Sequence, residues 1–374
     1  MSSNLASPTK FKASPVSGEG VVPSQGITAL FAAGAISAEL PLVPGQVQPA
    51  SLDLRLGSRA YRVRASFLPG GDTVLDRLAD FSMHEIDLSG GAVLEKGCVY
   101  LVPLAEGLAL PEGLSATANA KSSTGRLDLF TRLITDRGRE FDRVEAGYCG
   151  PLYAEISPRS FSVLVRPGMR LNQIRFSSGS AGLTDVDLRA LDAAERLVDG
   201  EAHIAGGLAF SVDLTPQRGG VVGYRAKPHT GLIDLDRIGH YDPVEFWEPV
   251  SSSDGRIILD PGAFYILVSR EAVHVPPNYA AEMAPYLAMV GEFRVHYAGF
   301  FDPGFGHAAA GGGGSRGVLE VRCHEAPFAL EHGQVVGRLV YERMAERPDI
   351  LYGADMGSNY QGQGLKLSKH FREP

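Results

Sequence analysis

The chain has 374 residues, of which 44% are hydrophobic and 21% charged, and it carries a formal net charge of −8. That length predicts two cores rather than one, and no apolar run is long enough to cross a membrane. The acidic balance argues against a broad nucleic-acid surface, so an anionic partner must be met by a local basic pocket and is expected to be a small molecule.

Residues 1–23 hold Ser, Pro and Lys without an apolar signal segment, which predicts a disordered leader and a cytoplasmic protein. Cys98, Cys149 and Cys323 lie far apart and form no CxxC pair, as a reducing compartment allows. From Ser24, the spacing of Ile27, Leu30, Phe31 and Ile36 predicts a short helix ending near Gly34. In Val47 to Gly57, Leu52, Leu54 and Leu56 alternate with Ser51, Asp53 and Arg55, the pattern of a half-buried strand whose polar face is either solvated or carries an ion pair.

Through residue 180 the chain runs in short apolar stretches broken by Gly and Pro: Val93 to Leu104, Leu114 to Ala120, Leu127 to Ile134, Leu152 to Ile156, Phe161 to Val165 and Leu171 to Phe176. This predicts an all-β barrel or sandwich. Leu183 to Val198 reads as a helix, and residues 181–225 as a connection between domains 24–180 and 226–345, with a tail over 346–374. The two domains look like copies. Tyr100 and Tyr265, Glu106 and Glu271, Pro111 and Pro276, Glu155 and Glu320, Gly168 and Gly333 all lie 165 positions apart. Phe141-Asp142 and Gly147-Tyr148 match Phe301-Asp302 and Gly304-Phe305 in kind, and the Gly-rich stretch within His307 to Arg316 predicts a mobile insertion.

The chemistry-bearing stretch is Lys121-Ser122-Ser123-Thr124-Gly125-Arg126, a dense set of hydroxyls and cations suited to anion binding. Glu155 follows in a strand whose alternation puts Tyr153, Glu155 and Ser157 on one face. The second copy keeps the acid, Glu320, but has no counterpart of the cradle at the repeat offset. A structural role is therefore expected of Glu320, with a composite site as the alternative.

Gln48 to Gly57, Lys121 to Arg126, Phe141-Asp142, Gly147 to Gly150 with Glu155, and Arg166 to Met169 resemble, in order, the motifs of the dCTP deaminases. Tyr360-Gln361-Gly362-Gln363 resembles that family's closing tail. The resemblance implies two tandem dUTPase-like distorted, jelly-roll-like β-barrels with few short helices, sites between subunits of a homo-oligomer, a trimer being favoured, and hydrolysis of dCTP to dUTP and ammonia. It also implies roles: Glu155 as general base and acid, Arg126 orienting it, and Ser122 positioning the water or departing amino group. Lys121 and Ser123 would hold phosphate. Thr135, Asp136, Asp142 and Tyr148 would contact the substrate, while Tyr360, Gln363 and Lys366 would close over the triphosphate with its magnesium. The His-x-Glu and Pro-Cys-x-x-Cys signature of zinc deaminases is missing from the sequence, so no protein-bound metal is expected. Lys121 stands where arginine is more familiar, and extra residues separate Thr135 from Asp142. A dUTP diphosphatase, a bifunctional enzyme that carries dCTP on to dUMP, and a non-catalytic nucleotide-binding regulator are the competing readings, with dUTP or dTTP as the alternative ligands.

Overall fold

Residues 17–285, 293–296, 299–353 and 361–373 are described in the structure, a computed structural model. Strands dominate, as the short apolar runs require. Leu114–Ala120, Cys149–Pro158 and Arg170–Ser178 form where alternating or continuous β-branched and apolar residues were read. The first helix spans Ser24–Ala32 and the later one Asp185–Glu195. The latter starts on a capping box in which Thr184 and Asp187 satisfy each other's backbone N–H groups. A helix over Val74–Phe81 was not read from the sequence; Thr73 caps it by accepting from the Asp76 N–H. No helix among the described residues is long and apolar enough to cross a membrane.

The strand order repeats. In the first half, Ser82–Asp87, Arg59–Val63, Val99–Ala109, Cys149–Pro158 and Leu129–Thr135 form one path of neighbours. In the second half, Trp247–Ser251, Val221–Ala226, Phe264–Val273, Ser315–Cys323 and Phe293–His296 occupy the same successive places. A second path, Arg170–Ser178, Leu114–Ala120 and Arg143–Val144, corresponds to Val335–Arg343, Tyr279–Pro285 and Phe300–Phe301. The segment expected to be only a connection is part of this second half: Leu208–Ser211 pairs with Val335–Arg343, and Val221–Ala226 with Phe264–Val273. Its glycines misled because Gly206 and Gly207 serve the turn before Leu208, both at positive φ. The part of the leader within the described residues is packed: Gly20–Val21 pairs with Ser177 and Ser178. Residues 1–16 of the expected leader lie outside them.

The halves share a core. Phe161 of the first half meets Trp247 of the second with ring centroids 5.3 Å apart, and Phe371 of the tail meets the same indole at 5.8 Å. Both contacts are edge-on, the arrangement that aromatic quadrupoles favour. Each such buried ring contributes on the order of 1.5–3 kcal/mol through the apolar surface it removes from water. Polar links cross the same junction. Asn119 donates to Glu282 at 3.0 Å, and Arg175, almost fully buried, reaches Glu342 at 2.9 Å and Asp302 at 3.4 Å.

Burial, reinforced by Glu342 and opposed by Arg175, pushes the Glu282 carboxyl up to about 7. Its folded-state proton affinity therefore exceeds its unfolded one, so the stabilisation is present at low pH and is lost as pH rises through about 7. Glu282→Gln, which keeps an acceptor for Asn119, is expected to gain thermal stability relative to the parent as pH climbs from 5 to 8 on the order of one pKa-linked step. Thermal melts across that range check this; a difference between the two proteins that stays constant with pH would refute it.

Candidate active site

The cradle forms because Ser122–Gly125 makes one helical turn, entered from the end of the Leu114–Ala120 strand. Ser122, Ser123, Thr124 and Arg126 line a cavity of about 740 Å³ at the junction of the halves. Its other wall comes from the second half: Phe300, Phe301, Asp302, Phe305 and Glu320. Residues of both halves therefore line one cavity within a single chain.

Glu320, not Glu155, stands at the cradle. Glu320 is 5% exposed, and its Oε2 lies 2.5 Å from the position a Cβ would take at Gly125. Only glycine admits the carboxylate there. Burial raises its pKa well above the ordinary value, Arg126 opposes that rise and Asp128 adds to it. The Arg126 guanidinium, itself 2% exposed, donates to Gln363 Oε1 at 2.8 Å and to the Lys366 carbonyl at 3.0 Å.

Glu155 lies outside the cavity wall, although its strand forms where the sequence placed it. Arg132, its cross-strand neighbour, donates to it through Nη2 at 2.6 Å and Nε at 3.2 Å. The same guanidinium sits 3.5 Å above the Phe141 ring and donates to Ser66. Within the chain, then, Glu155 meets Arg132, while Ser122 and Arg126 line a cavity that its side chain does not reach.

Thr135, Asp136, Asp142 and Tyr148 lie away from the cavity as well. They hold the loops beside the Glu155 strand together. Asp136 accepts from the Val74 N–H at 2.8 Å, and Tyr148 donates to the Pro151 carbonyl at 2.6 Å while accepting from the Asp136 N–H. Asp142 accepts from the Leu133 N–H, and burial pushes its carboxyl up to about 7. Lys366 points its ammonium outward to Glu373, at 3.0 Å. Tyr360 lies outside the described residues.

The structure brings Lys121, Ser122, Ser123, Arg126 and Gln363 together and adds Arg170 to them. Lys121 pairs with buried Asp53, which Arg170 also approaches at 3.5 Å. Lys369 lies nearby, its pKa lowered by burial and by the neighbouring charges of Lys121 and Arg170. Three cations thus converge around one carboxylate, a basic pocket in an acidic chain. Asp53 does form an ion pair, the sharper of its two sequence readings, but Arg55 turns to Glu106 at 2.7 Å. A signal for the second half's role was present: Phe301-Asp302-Pro303-Gly304-Phe305 is uninterrupted, while Arg143 to Ala146 separate Asp142 from Gly147-Tyr148 in the first half.

The tail is seated rather than loose. Gln361 accepts from the Gly306 N–H at 3.1 Å, Gln363 donates to the Arg316 carbonyl, and Ser368 donates to the Ser123 carbonyl at 2.8 Å. The insertion expected to be mobile is folded around Gln361, with the Gly312 N–H on the His307 carbonyl and the Gly314 N–H on that of Gly306. A Cβ at Gly306 would fall 2.0 Å from the Val273 carbonyl, so its glycines allow close backbone packing.

Residues 18–180 match the N-terminal domain, and 184–371 the C-terminal domain, of the family model for 2'-deoxycytidine 5'-triphosphate deaminase. The chain belongs to the 2'-deoxycytidine 5'-triphosphate deaminase family. The crystal structure of 2'-deoxycytidine 5'-triphosphate deaminase from Agrobacterium tumefaciens is 60% identical, superposes with a TM-score of 0.85, and covers 87% of this chain and 99% of its own. Among curated relatives, "dCTP deaminase, dUMP-forming" of Coprothermobacter proteolyticus is 31% identical over 137 residues, 36% of this chain and 70% of the relative. "dCTP deaminase" of Halorubrum lacusprofundi is 32% identical over 139 residues, 36% of this chain and 65% of the relative.

The contact between Gly125 and Glu320 gives a direct test of the composite site in a deaminase. Gly125→Ala is expected to displace the carboxylate and cut dCTP turnover by roughly a hundredfold, the scale of a displacement of about 1 Å in an active site. Ammonia release and circular dichroism measured together check it; full activity in the folded variant would mean that Glu320 is not needed where it stands.

Proposed function

We propose that this chain deaminates dCTP to dUTP and ammonia with Glu320 as the proton carrier. The observation that supports it is the placement of a buried carboxylate against the only Ser-Ser-Thr-Gly-Arg cradle in the sequence. Water attacks C4 of the cytosine while Glu320 accepts its proton and returns it to N3. The resulting tetrahedral carbon then loses its amino group: the C4–N4 bond breaks, Glu320 relays the second water proton to nitrogen, and ammonia leaves as the carbonyl forms. Arg126 holds the ionised form of Glu320, and Ser122 orients the water or the departing amine. A raised proton affinity suits a group that must both take and give a proton near neutrality.

Lys121, Arg170 and Lys369 would receive the triphosphate, which Ser123 would help to fix. Magnesium would arrive on the nucleotide's own oxygens; among the described residues no three His, Cys, Asp or Glu side chains converge as a protein cage would. The aromatic side chains Phe301 and Phe305, with centroids 5.1 Å apart, would form a wall for the nucleoside. The repeated strand order supports reading each half as a dUTPase-like barrel. Association into a trimer or another homo-oligomer would multiply sites that each chain supplies.

A second reading is favoured by the relatives named as dUMP-forming: the same enzyme would go on to cleave dUTP. Separation of products by ion exchange after incubation with dCTP and magnesium decides, since dUTP supports deamination alone and dUMP the bifunctional enzyme. Unchanged dCTP would support a nucleotide-binding regulator instead.

Glu320→Gln is expected to lower kcat by roughly 10²–10⁴-fold, the usual contribution of a general base, while triphosphate binding persists. Glu155→Gln should retain turnover, because its partner Arg132 stands outside the cavity. The reverse pattern would return the proton transfer to Glu155. The pH profile adds a second measurement. The working form of Glu320 is the carboxylate, so kcat falls as pH drops through its raised pKa; Arg126→Met removes the group that lowers that pKa and should move the acid limb to higher pH. An acid limb that moves to lower pH, or stays fixed, contradicts the assignment.

A further inference from the structure

Glu320 and Arg322 are alternate residues of the Ser315–Cys323 strand and project from the same side of it. Both cross the junction between the halves. Glu320 enters the cradle at Gly125, and Arg322 meets Asp128 in the turn that closes that cradle. The turn is built closely: the Asp128 N–H donates to the Gly125 carbonyl at 2.8 Å, and Asp128 takes a positive φ of 53°. Asp128 is 1% exposed, and Ser160 donates to its carboxylate at 2.6 Å. Arg322 Nη2 also reaches Ser160 Oγ, at 3.1 Å. The strand carrying the acid is thereby fastened to the loop carrying the cradle two residues from the acid itself. In the first half the residue two places beyond Glu155 is Ser157, so this arginine is peculiar to the half whose acid faces the cavity.

We propose that Arg322 is a positioning residue for deamination: by binding Asp128 and Ser160 it holds Glu320 in register with the Lys121–Arg126 cradle. This rests on the reading of Glu320 as proton carrier. The link also has an electrostatic effect. The charged groups acting on Glu320 are Arg126, which lowers its proton affinity, and Asp128, which raises it; His296 is its cross-strand partner. Arg322 neutralises the one buried acid in that set. Without it, Asp128 would lose the cation that Arg322 brings to its carboxylate, its effect on Glu320 would grow, and the acid would hold its proton more tightly.

The experiment is steady-state dCTP deamination across pH by the full-length protein and its Arg322→Met variant. The expected result is a kcat lowered roughly tenfold, the effect of a misplaced reacting group, with the acid limb displaced to higher pH. KM for dCTP should change by less than about threefold, since the triphosphate cations lie elsewhere. Adding Asp128→Asn to Arg322→Met should bring the acid limb back toward its parent position. Loss of thermal stability alone, with kcat and acid limb at parent values, overturns the proposal. If Arg322→Met does not fold, Arg322→Lys decides: it keeps the charge but not the planar fork, so a lowered kcat supports the proposal and parent kinetics overturn it. Glu320→Gln in the same assay separates the two readings. If it remains active, the role of Glu320 itself is wrong; if it is inactive while Arg322→Met is normal, only the positioning role falls.

Discussion

The structure depends on a carboxylate that has been taken out of water at a seam. Glu320 has given up nearly all of its hydration, and such a loss is met partly by a raised proton affinity and partly by a nearby cation and close packing. Arg126 supplies the cation, Gly125 supplies the space, and both belong to the other half of the chain. The acid can stay where it is only if the two halves are held in fixed relation. Phe161, Trp247 and Phe371 provide that fixity, because one aromatic cluster draws on the first half, the second half and the tail together. Packing energy that is non-directional in itself is therefore converted into a defined position for one carboxylate.

Duplication accounts for the asymmetry. Two halves with the same strand order supply two equivalent acids, but only one cradle. An acid without a cradle must still be matched when buried, and Arg132 matches Glu155 from the adjacent strand, held over the ring of Phe141. The two glutamates thus share a position in the fold and differ in what faces them. On the proposed assignment, what would separate the reactive carboxylate from the structural one is the partner: Glu320 has a cation already engaged with the tail, while Glu155 has one directed at itself and its surroundings.

The sequence was legible where a local rule suffices. The run Leu114 to Ala120 and the helix after Thr184 follow from apolar spacing and capping, and the repeat emerges from pairs such as Tyr100 and Tyr265. The cradle was also legible, since its residue types are crowded into seven positions. The partner of the cradle was not. Alternation along Tyr153 to Ser157 specifies which side chains share a face, yet every residue from Leu152 to Pro158 is buried, so sharing a face says nothing about facing a cavity. Choosing between Glu155 and Glu320 requires knowing which half covers which, and that is a property of long-range packing. Arg170 was missed for a related reason: it comes beside Lys121 through the pairing of its strand with Leu114–Ala120, whereas Lys369 comes there because the tail returns to the first half.

That return also explains how an acidic protein maintains a basic pocket. Lys121, Arg170 and Lys369 repel one another, and Lys369 holds its proton less readily, first through burial and then through that repulsion. Asp53 lies buried among them and draws two of them by direct pairing. Its carboxylate reduces the repulsion that would otherwise drive the tail away from the cradle. The tail is further anchored where charge plays no part, through Ser368 on the Ser123 carbonyl and Phe371 in the aromatic cluster. Lys369 is placed between those two anchors and cannot relax outward without breaking one of them. The positive potential of this pocket is thus held in place by neutral contacts on either side, which is why the segment that looked like a loose basic end forms a fixed wall.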